Sequence, residues 1–380
     1  SVRWRLSKGH LVVRRNIRGN SNIEFYENII MVDAAAEHDI DDDITYINDI
    51  RSSRDFRSIT FSNFKIGEVK RQLLATIISR KPQDACYWVA ELICAGHYEE
   101  IWDTFLQYLG KYTHIGNPKL PIYLEMRYDA FQSILKKGLY TNDIQARNCL
   151  KIRKLFAEIV CVLCFSNKKP AIEYVKINAD EEFDIENIAE KLRAPSLEYL
   201  SGAFRRQDPD ECIVATNEFA YSCVRCDTMM ACYWMEWMIE FDAVCKKRRD
   251  PCYADRRYDI PVDARYQEDV IWIFWDVIMK CAAQIENSNR AIIERILNSL
   301  LRLFCIHYTS GCAKKRRYLL YFAVQLLTEN VDFRVEMISN KIMIDRILQN
   351  IDNVYQVIKN GEQGANMNYL YQNFASDEMN

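Results

Sequence analysis

Residues 84–110, DACYWVAELICAGHYEEIWDTFLQYLG, decide the fold. The stretch reads as two helices meeting at Gly96. In the second, Tyr98, Ile101, Trp102, Phe105, Leu106 and Leu109 fall on one helical face, the spacing set by a 3.6-residue turn. Gly110 is the expected stop, because glycine takes the left-handed cap conformation without a side-chain clash. Asp84 is the expected N-cap of the first helix, whose one charge between Ala85 and Ala95 is Glu91. A helix apolar on nearly all sides belongs in the middle of a core. The hairpin sets the architecture and carries no recognisable chemistry.

Helical spacing continues on both sides of it. Residues 61–166 read as a first helical unit, with helices at 66–80, 84–95, 98–109, 121–137 and 143–165. Pro121 suits a helix first turn, where its missing N–H costs nothing. Residues 167–209 are polar, with Pro170, Pro195 and Pro209, and read as a linker with one short helix at 185–193. A second unit, 210–310, holds helices at 210–225, through 231–234, at 265–284 and at 290–307. C-terminal helices at 315–328 and 341–359 occupy 311–360; the latter carries Ile344, Ile347, Leu348, Ile351, Tyr355 and Ile358 on one face. Residues 361–380 are a polar tail, and 1–60 an extended arm, first basic and then acidic. The tetrapeptide ACYW stands at 85–88 and again at 231–234, an offset of 146. Identity at matched helix order is read either as an internal duplication, with Trp88 and Trp234 buried at equivalent places, or as two similar solutions to packing a helical hairpin. The expected class is all-α; 11 glycines and 8 prolines leave few tight turns for a β-sandwich.

The totals bound function by exclusion. Of 380 residues, 49% are hydrophobic and 27% charged, with a net charge of −3; such a chain folds and is no general polyanion binder. The apolar runs 155–165 and 270–279 are interrupted by Glu158 and Asp276, and each falls short of the ~20 residues of a membrane span. No secretory leader is expected. The 14 cysteines are scattered through apolar helices, for example Cys86, Cys94, Cys161, Cys164, Cys232 and Cys305. There a free thiol acts as a small hydrophobe, so reduced, intracellular cysteines are expected.

Catalytic signatures are missing from the sequence. The five histidines are His10, His38, His97, His114 and His307, and no HExxH, P-loop, GxSxG or GxGxxG motif occurs. Cys305 and His307 lie two apart, on different sides of a helix, and read as core packing rather than nucleophile and base. Two CxxC pairs invite a zinc reading. Cys161 and Cys164 lie deep in a helical run; Cys223 and Cys226 lie nearer a helix end, with Cys212 or Cys252 as possible partners. The expectation is a non-enzyme with no cofactor, no metal and no small-molecule substrate.

Partner-binding candidates are basic. Residues 1–20 carry Arg3, Arg5, Lys8, Arg14, Arg15 and Arg18 and no acid, followed by the acidic run Glu37, Asp39, Asp41, Asp42 and Asp43. An arm of this kind needs a partner surface to order it. Two KKRR clusters follow: Lys246, Lys247, Arg248 and Arg249, then Lys314, Lys315, Arg316 and Arg317. They suit phosphates when interleaved with aromatics; Tyr253, Tyr258 and Tyr318 are near. The structural alternative gives them to helix C-terminal dipoles and to the chain's own acids. For the second cluster, a helix N-terminus is unfavourable for cations, which points to an acidic partner.

The strings ACYWVAELICAGHYEEIWDTFLQYLGKYTHIGNPKLPIYLEMRY, RNCLKIRKLFAEIVCVLCFSNKK, ACYWMEWMIEFDAVCKKRRDPC and AKKRRYLLYFAVQLLTE resemble an uncharacterised helical protein of chlorella-virus and mimivirus-type large DNA viruses. The resemblance spans about 60–330 and carries no functional motif. It implies a viral protein made in host cytoplasm, and with it a minor capsid protein whose partners are other capsid proteins, major and minor. The alternative is a replication or transcription accessory factor that binds nucleic acid through the basic patches.

Overall fold

Three consecutive helices build the core outward from the hairpin: α1 (Ile66–Ile78), α2 (Pro82–Cys94) and α3 (Tyr98–Tyr108). Gly96 turns the chain between the last two with φ +79°, a conformation that costs an L side chain roughly 1–2 kcal/mol. All six residues of the expected α3 stripe are buried, as are nine of the 13 residues of α2. Two local expectations are corrected. The N-cap of α2 is Lys81, with Pro82 at the first helical position; Asp84 sits inside the first turn, where its charge still suits the helix dipole. Gly110 does not end a helix in the left-handed form. The chain widens there into a π-helix, Leu109–Thr113, and a Cβ at Gly110 would lie 3.0 Å from the Tyr318 backbone. Close packing, rather than capping, requires that glycine.

The computed structural model describes residues 45–364 except 139, 141 and 201. The basic residues Arg3–Arg18, the acidic run and the tail beyond Gly364 lie outside the described residues. The remaining helices are α4 (Leu120–Lys137), α5 (Leu150–Phe165), α6 (Ala179–Glu182), α7 (Ile185–Lys191), α8 (Ile213–Val224), α9 (Thr228–Arg248), α10 (Ile271–Ala283), α11 (Arg290–Phe304), α12 (Cys312–Lys315), α13 (Arg317–Thr328), α14 (Lys341–Gln349) and α15 (Ile351–Lys359). Among the described residues there is no strand, only an isolated bridge between Ile59 and Lys65. The protein is all-α. The described residues form one compact unit. Within it α5 packs on α1, α2, α4, α14 and α15, while α13 packs on α9, α10 and α11. The two helical stretches share one body through α4 against α11 and α13 against the π-helix. Residues 167–209 are laid along that body: Ala171 N–H donates to Lys111 O (2.9 Å), Trp237 Nε1 to Glu182 O (2.9 Å), and Glu218 accepts from the backbone of Arg193 and Ala194 (2.9 Å each).

Three expected helices are shorter or broken, each for a tertiary reason. The helix expected over 143–165 splits at Cys149, preceded by a 3-10 turn at Asp143–Asn148. Here Arg147 and Asn148 bond the chain near Asp49 and Ile47 rather than continue a helix. The helix expected over 341–359 breaks at Asn350, so α14 faces α5 while α15 faces both α2 and α5. The one expected at 265–284 begins only at Ile271, because Tyr266 O is taken by Trp272 Nε1 (2.6 Å).

The repeat holds locally. α1/α2 and α8/α9 have their facing ends at the same offset of 146, with Arg80 (φ 59°) and Cys226 (φ 57°) left-handed at the equivalent turn position. Lys81 N–H to Thr76 O and Asp227 N–H to Ser222 O are both 2.9 Å. The Tyr87–Trp88 and Tyr233–Trp234 ring pairs are both 5.1 Å apart. Beyond the turn the copies part. Gly96 breaks the first, whereas Asp242 at the matching place lets α9 run on for 21 residues. The first stretch therefore holds one helix more than the second, and Trp88 is half-buried where Trp234 is fully buried. The expectation of matched tryptophan burial fails within the helix–turn–helix, and that of matched helix order fails beyond it.

Candidate interaction surface

The two ends of the described chain are clamped together at one edge. Asn148 pairs with Ile47 in both directions at 2.9 Å, its amide substituting for a neighbouring strand. Arg153, on α5 and fully buried, donates to Arg147 O (2.7 Å), Thr45 Oγ1 (3.0 Å), Thr45 O (3.2 Å) and Asn148 Oδ1 (2.8 Å), and its guanidinium lies 4.0 Å from the Tyr355 ring centre. Ile50 N–H donates to Gln363 O (3.1 Å), Gln363 N–H to Asp49 Oδ2 (2.8 Å), and Lys359 Nζ to Tyr46 O (2.6 Å). Burial would raise the Asp49 carboxyl. The Arg51 guanidinium and the N–H groups of Gln363 and Arg51 outweigh it and hold the group below its usual range. Residues 45–50 and 359–363 are thus tied together at one edge, where Tyr46, Ile50 and Val357 are each more than half exposed.

The two basic clusters have different fates. Lys314 binds Glu240 (2.9 Å) and Arg317 binds Glu236 (3.1 Å). Arg316 binds Asp103 (3.0 Å) and caps the end of α11 through the carbonyls of Phe304 and Ile306. Arg316 and Arg317 are buried, so this cluster fastens α9, α11 and α13 to one another; acids of the chain itself offset the unfavourable helix N-terminus. Only Lys315 is left exposed and unpaired among the described residues. At the other cluster Lys246 is held by Asp242 (2.7 Å) and Asp269 (3.0 Å). Lys247, Arg248 and Arg249 are exposed and make no ion pair among the described residues. Arg249 caps α9 with φ 63°, a place where glycine is usual. Exposed Tyr253 and Tyr258 follow, with Arg256 5.6 Å from the Tyr258 ring centre. Acids Asp250, Asp255, Asp259 and Asp263 are interspersed, so the patch is only mildly basic.

Other polar groups are spent on the fold. Glu125 lies in a cleft of about 190 Å³ with Tyr128, Arg302, Cys305 and His307. It accepts from Arg295 Nη1 (2.6 Å), Ser299 Oγ (2.6 Å) and Arg302 Nη1 (2.7 Å). Burial pushes the Cys305 thiol up to about 12, which removes it as a nucleophile near neutrality. Arg257, fully buried, forks onto Asp208 and Asp276. Among the described residues no three His, Cys, Asp or Glu side chains converge as metal ligands. Cys223 is buried and Cys226 exposed at the α8–α9 turn, so CVRC does not present two thiols to one point. Instead, Cys86 on α2 meets Cys161 on α5 (Sγ–Sγ 4.0 Å), and Cys212 Sγ lies 3.7 Å from Met238 Sδ.

Neither the clamp nor the Cys86–Cys161 contact shows in the sequence as a spacing, because each joins residues far apart in the chain. Locally the run RNCLKIRKLFAE at 147–158 mixes charged and apolar residues, so nothing in it singles out Asn148 and Arg153. No helix among the described residues is long and apolar enough to cross a membrane. No protein-family model, no curated protein and no solved structure matches the chain.

Proposed function

We propose that the chain is a minor capsid protein of a large icosahedral DNA virus, present in the virion and in host cytoplasm during assembly. A rigid helical body would hold neighbouring capsid subunits through the arm at 1–44 and the tail beyond 364. The clamp is the observation that supports this reading: Arg153, Asn148 and Asp49 hold Thr45, Ile47 and Gln363 at one edge, beside exposed Tyr46, Ile50 and Val357. Ordering an arm on binding keeps each contact weak, and many copies in a lattice compensate by avidity. Deleting residues 1–20 should leave the melting temperature unchanged while lowering recovery of the protein in purified particles. Equal recovery removes the arm from the mechanism; loss of the fold assigns it to the core.

Lys247, Arg248 and Arg249, unpaired beside Tyr253 and Tyr258, favour a second reading, a viral replication or transcription accessory factor bound to nucleic acid. Three free cations release few counterions, so log K against log[salt] should slope by no more than about −3. Absence of salt-dependent DNA binding by the purified protein excludes this reading.

A further inference from the structure

The chain over 167–209 is fastened firmly at two places, with a lightly held stretch between them. On one side Val175 N–H donates to Tyr321 Oη (3.2 Å) and Ile177 is buried. On the other, the N–H groups of Arg193 and Ala194 bind the Glu218 carboxylate (2.9 Å each). Among the described side chains of residues 178–192 none is buried. One spot on α9 holds them. Tyr233 Oη donates to Glu182 Oε2 (2.6 Å) and Trp237 Nε1 to Glu182 O (2.9 Å). Lys191, the last residue of α7, pairs with Glu182 and donates to Tyr233 Oη (3.1 Å). The Phe183 ring meets Trp237 (5.0 Å) and Phe241 (5.9 Å) edge-on, and those two rings stack at 5.2 Å. We propose that residues 178–192 form a displaceable lid, and that the aromatic stripe beneath it, Tyr233, Trp237 and Phe241, is a docking site for a short acidic segment of another protein that carries a phenylalanine.

The stripe is more than the helix–turn–helix requires. In its first copy the positions equivalent to Trp237 and Phe241, at the offset of 146, are Glu91 and Ala95. There a buried carboxylate ties down the overlying chain: Thr60 Oγ1 (3.0 Å) and Ser62 N–H (2.9 Å) both donate to Glu91. The second copy has an aromatic slot in place of that polar tie, with Tyr233 and Phe241 partly exposed even under the lid. Edge-to-face contact of this kind is open to any ring presented at the right place. A lid with no buried side chain loses little packing on lifting, and such segments open well before the body does.

The lid's own contacts state what fits: a Phe ring against Trp237 and Phe241, with a carboxylate one residue earlier on the Tyr233 hydroxyl. Charge states what displaces it. Helical spacing continues the same face of α9 through Val244 to Arg248. Arg248 stands about 10 Å beyond Phe241 along the axis, exposed and without an ion pair among the described residues. The lid turns back after Phe183, bringing Lys191 to Tyr233, and leaves that cation unpaired. A partner with a further acid at that distance gains a charge-assisted contact the lid lacks. The site stands independently of the capsid reading.

The probe is a fluorescein-labelled peptide of the lid sequence, NADEEFDIENIAEKL, residues 178–192, titrated by anisotropy into full-length protein. Phe183→Ala removes the ring that holds the lid, so the peptide should bind this variant about tenfold more tightly than wild type, whose apparent affinity falls with the fraction of open lid. Adding Phe241→Ala should abolish binding; adding Arg248→Glu instead should weaken it several-fold, most at low salt. A peptide with alanine in place of its phenylalanine should not bind, a control that needs no protein variant. Circular dichroism checks that each variant is folded. In wild type, amides of 178–192 should exchange hydrogen much faster than those of α8 and α9. Sedimentation velocity decides the occupant: a wild-type dimer that Phe183→Ala dissolves puts a second copy's lid in the slot and overturns the proposal. It is equally overturned by a peptide that binds wild type and Phe183→Ala alike, by binding that survives loss of either phenylalanine, or by lid amides that exchange as slowly as α9.

Discussion

Removing the Arg153 side chain should loosen the edge that ties residues 45–50 to residues 359–363. Its guanidinium makes four hydrogen bonds, two of them to Thr45, and stacks on Tyr355. In Arg153→Ala those acceptors lose a charged donor in a site closed to water. Bonds to charged groups contribute roughly 1.5–3 kcal/mol each, and partial rehydration of the cavity recovers part of the total. The stack adds about 1 kcal/mol. A net loss of about 4 kcal/mol is expected, which at ~2 °C per kcal/mol for a chain of this size lowers the melting temperature by roughly 8 °C. The Thr45–Arg51 segment should also open locally before the body unfolds. Thermal melting by circular dichroism gives the global effect, and trypsin cleavage after Arg51 and Arg54 gives the local one. A melting shift under about 2 °C together with unchanged cleavage refutes the clamp as the element that fixes the ends.

Burial holds His114 neutral, with its pKa lowered to about 3, helped by nearby Lys169. Folding then loses stability as pH falls below the unfolded value of about 6.5, by roughly 2 kcal/mol at pH 5; His114→Phe, which keeps the stack on Phe322, should flatten urea-unfolding free energies between pH 6.5 and 5. Gly116→Ala places a Cβ 2.6 Å from Lys169 N and should cost about 1–3 kcal/mol by pushing that strand of backbone off Thr113. Trp234→Ala should cost about 3–5 kcal/mol in denaturant unfolding, whereas half-buried Trp88→Ala should cost about half that.

The α3 stripe was legible because Tyr98 through Leu109 answer only to helical period and burial. The twin helix–turn–helix was legible too, since ACYW and its offset are local. What failed was tertiary. Nothing near Gly110 announces that Tyr318 will lie 3.0 Å from its missing Cβ, so a capping role was the natural expectation. The break at Cys149 follows from Asn148 and Arg147 serving Ile47 and Asp49, about a hundred residues away in the chain. Arg316 and Arg317 looked like surface charge because Asp103 and Glu236, their partners, come from distant helices. Charge runs carry no sign of which members point inward.

The measurement that bears most directly on the capsid reading is the copy number of the chain in purified particles of the large DNA virus which that reading proposes as its source, by quantitative mass spectrometry against the major capsid protein. A capsid component should appear at a fixed ratio, in many copies per particle, and survive stringent washing. Abundance in infected cells with absence from particles contradicts it.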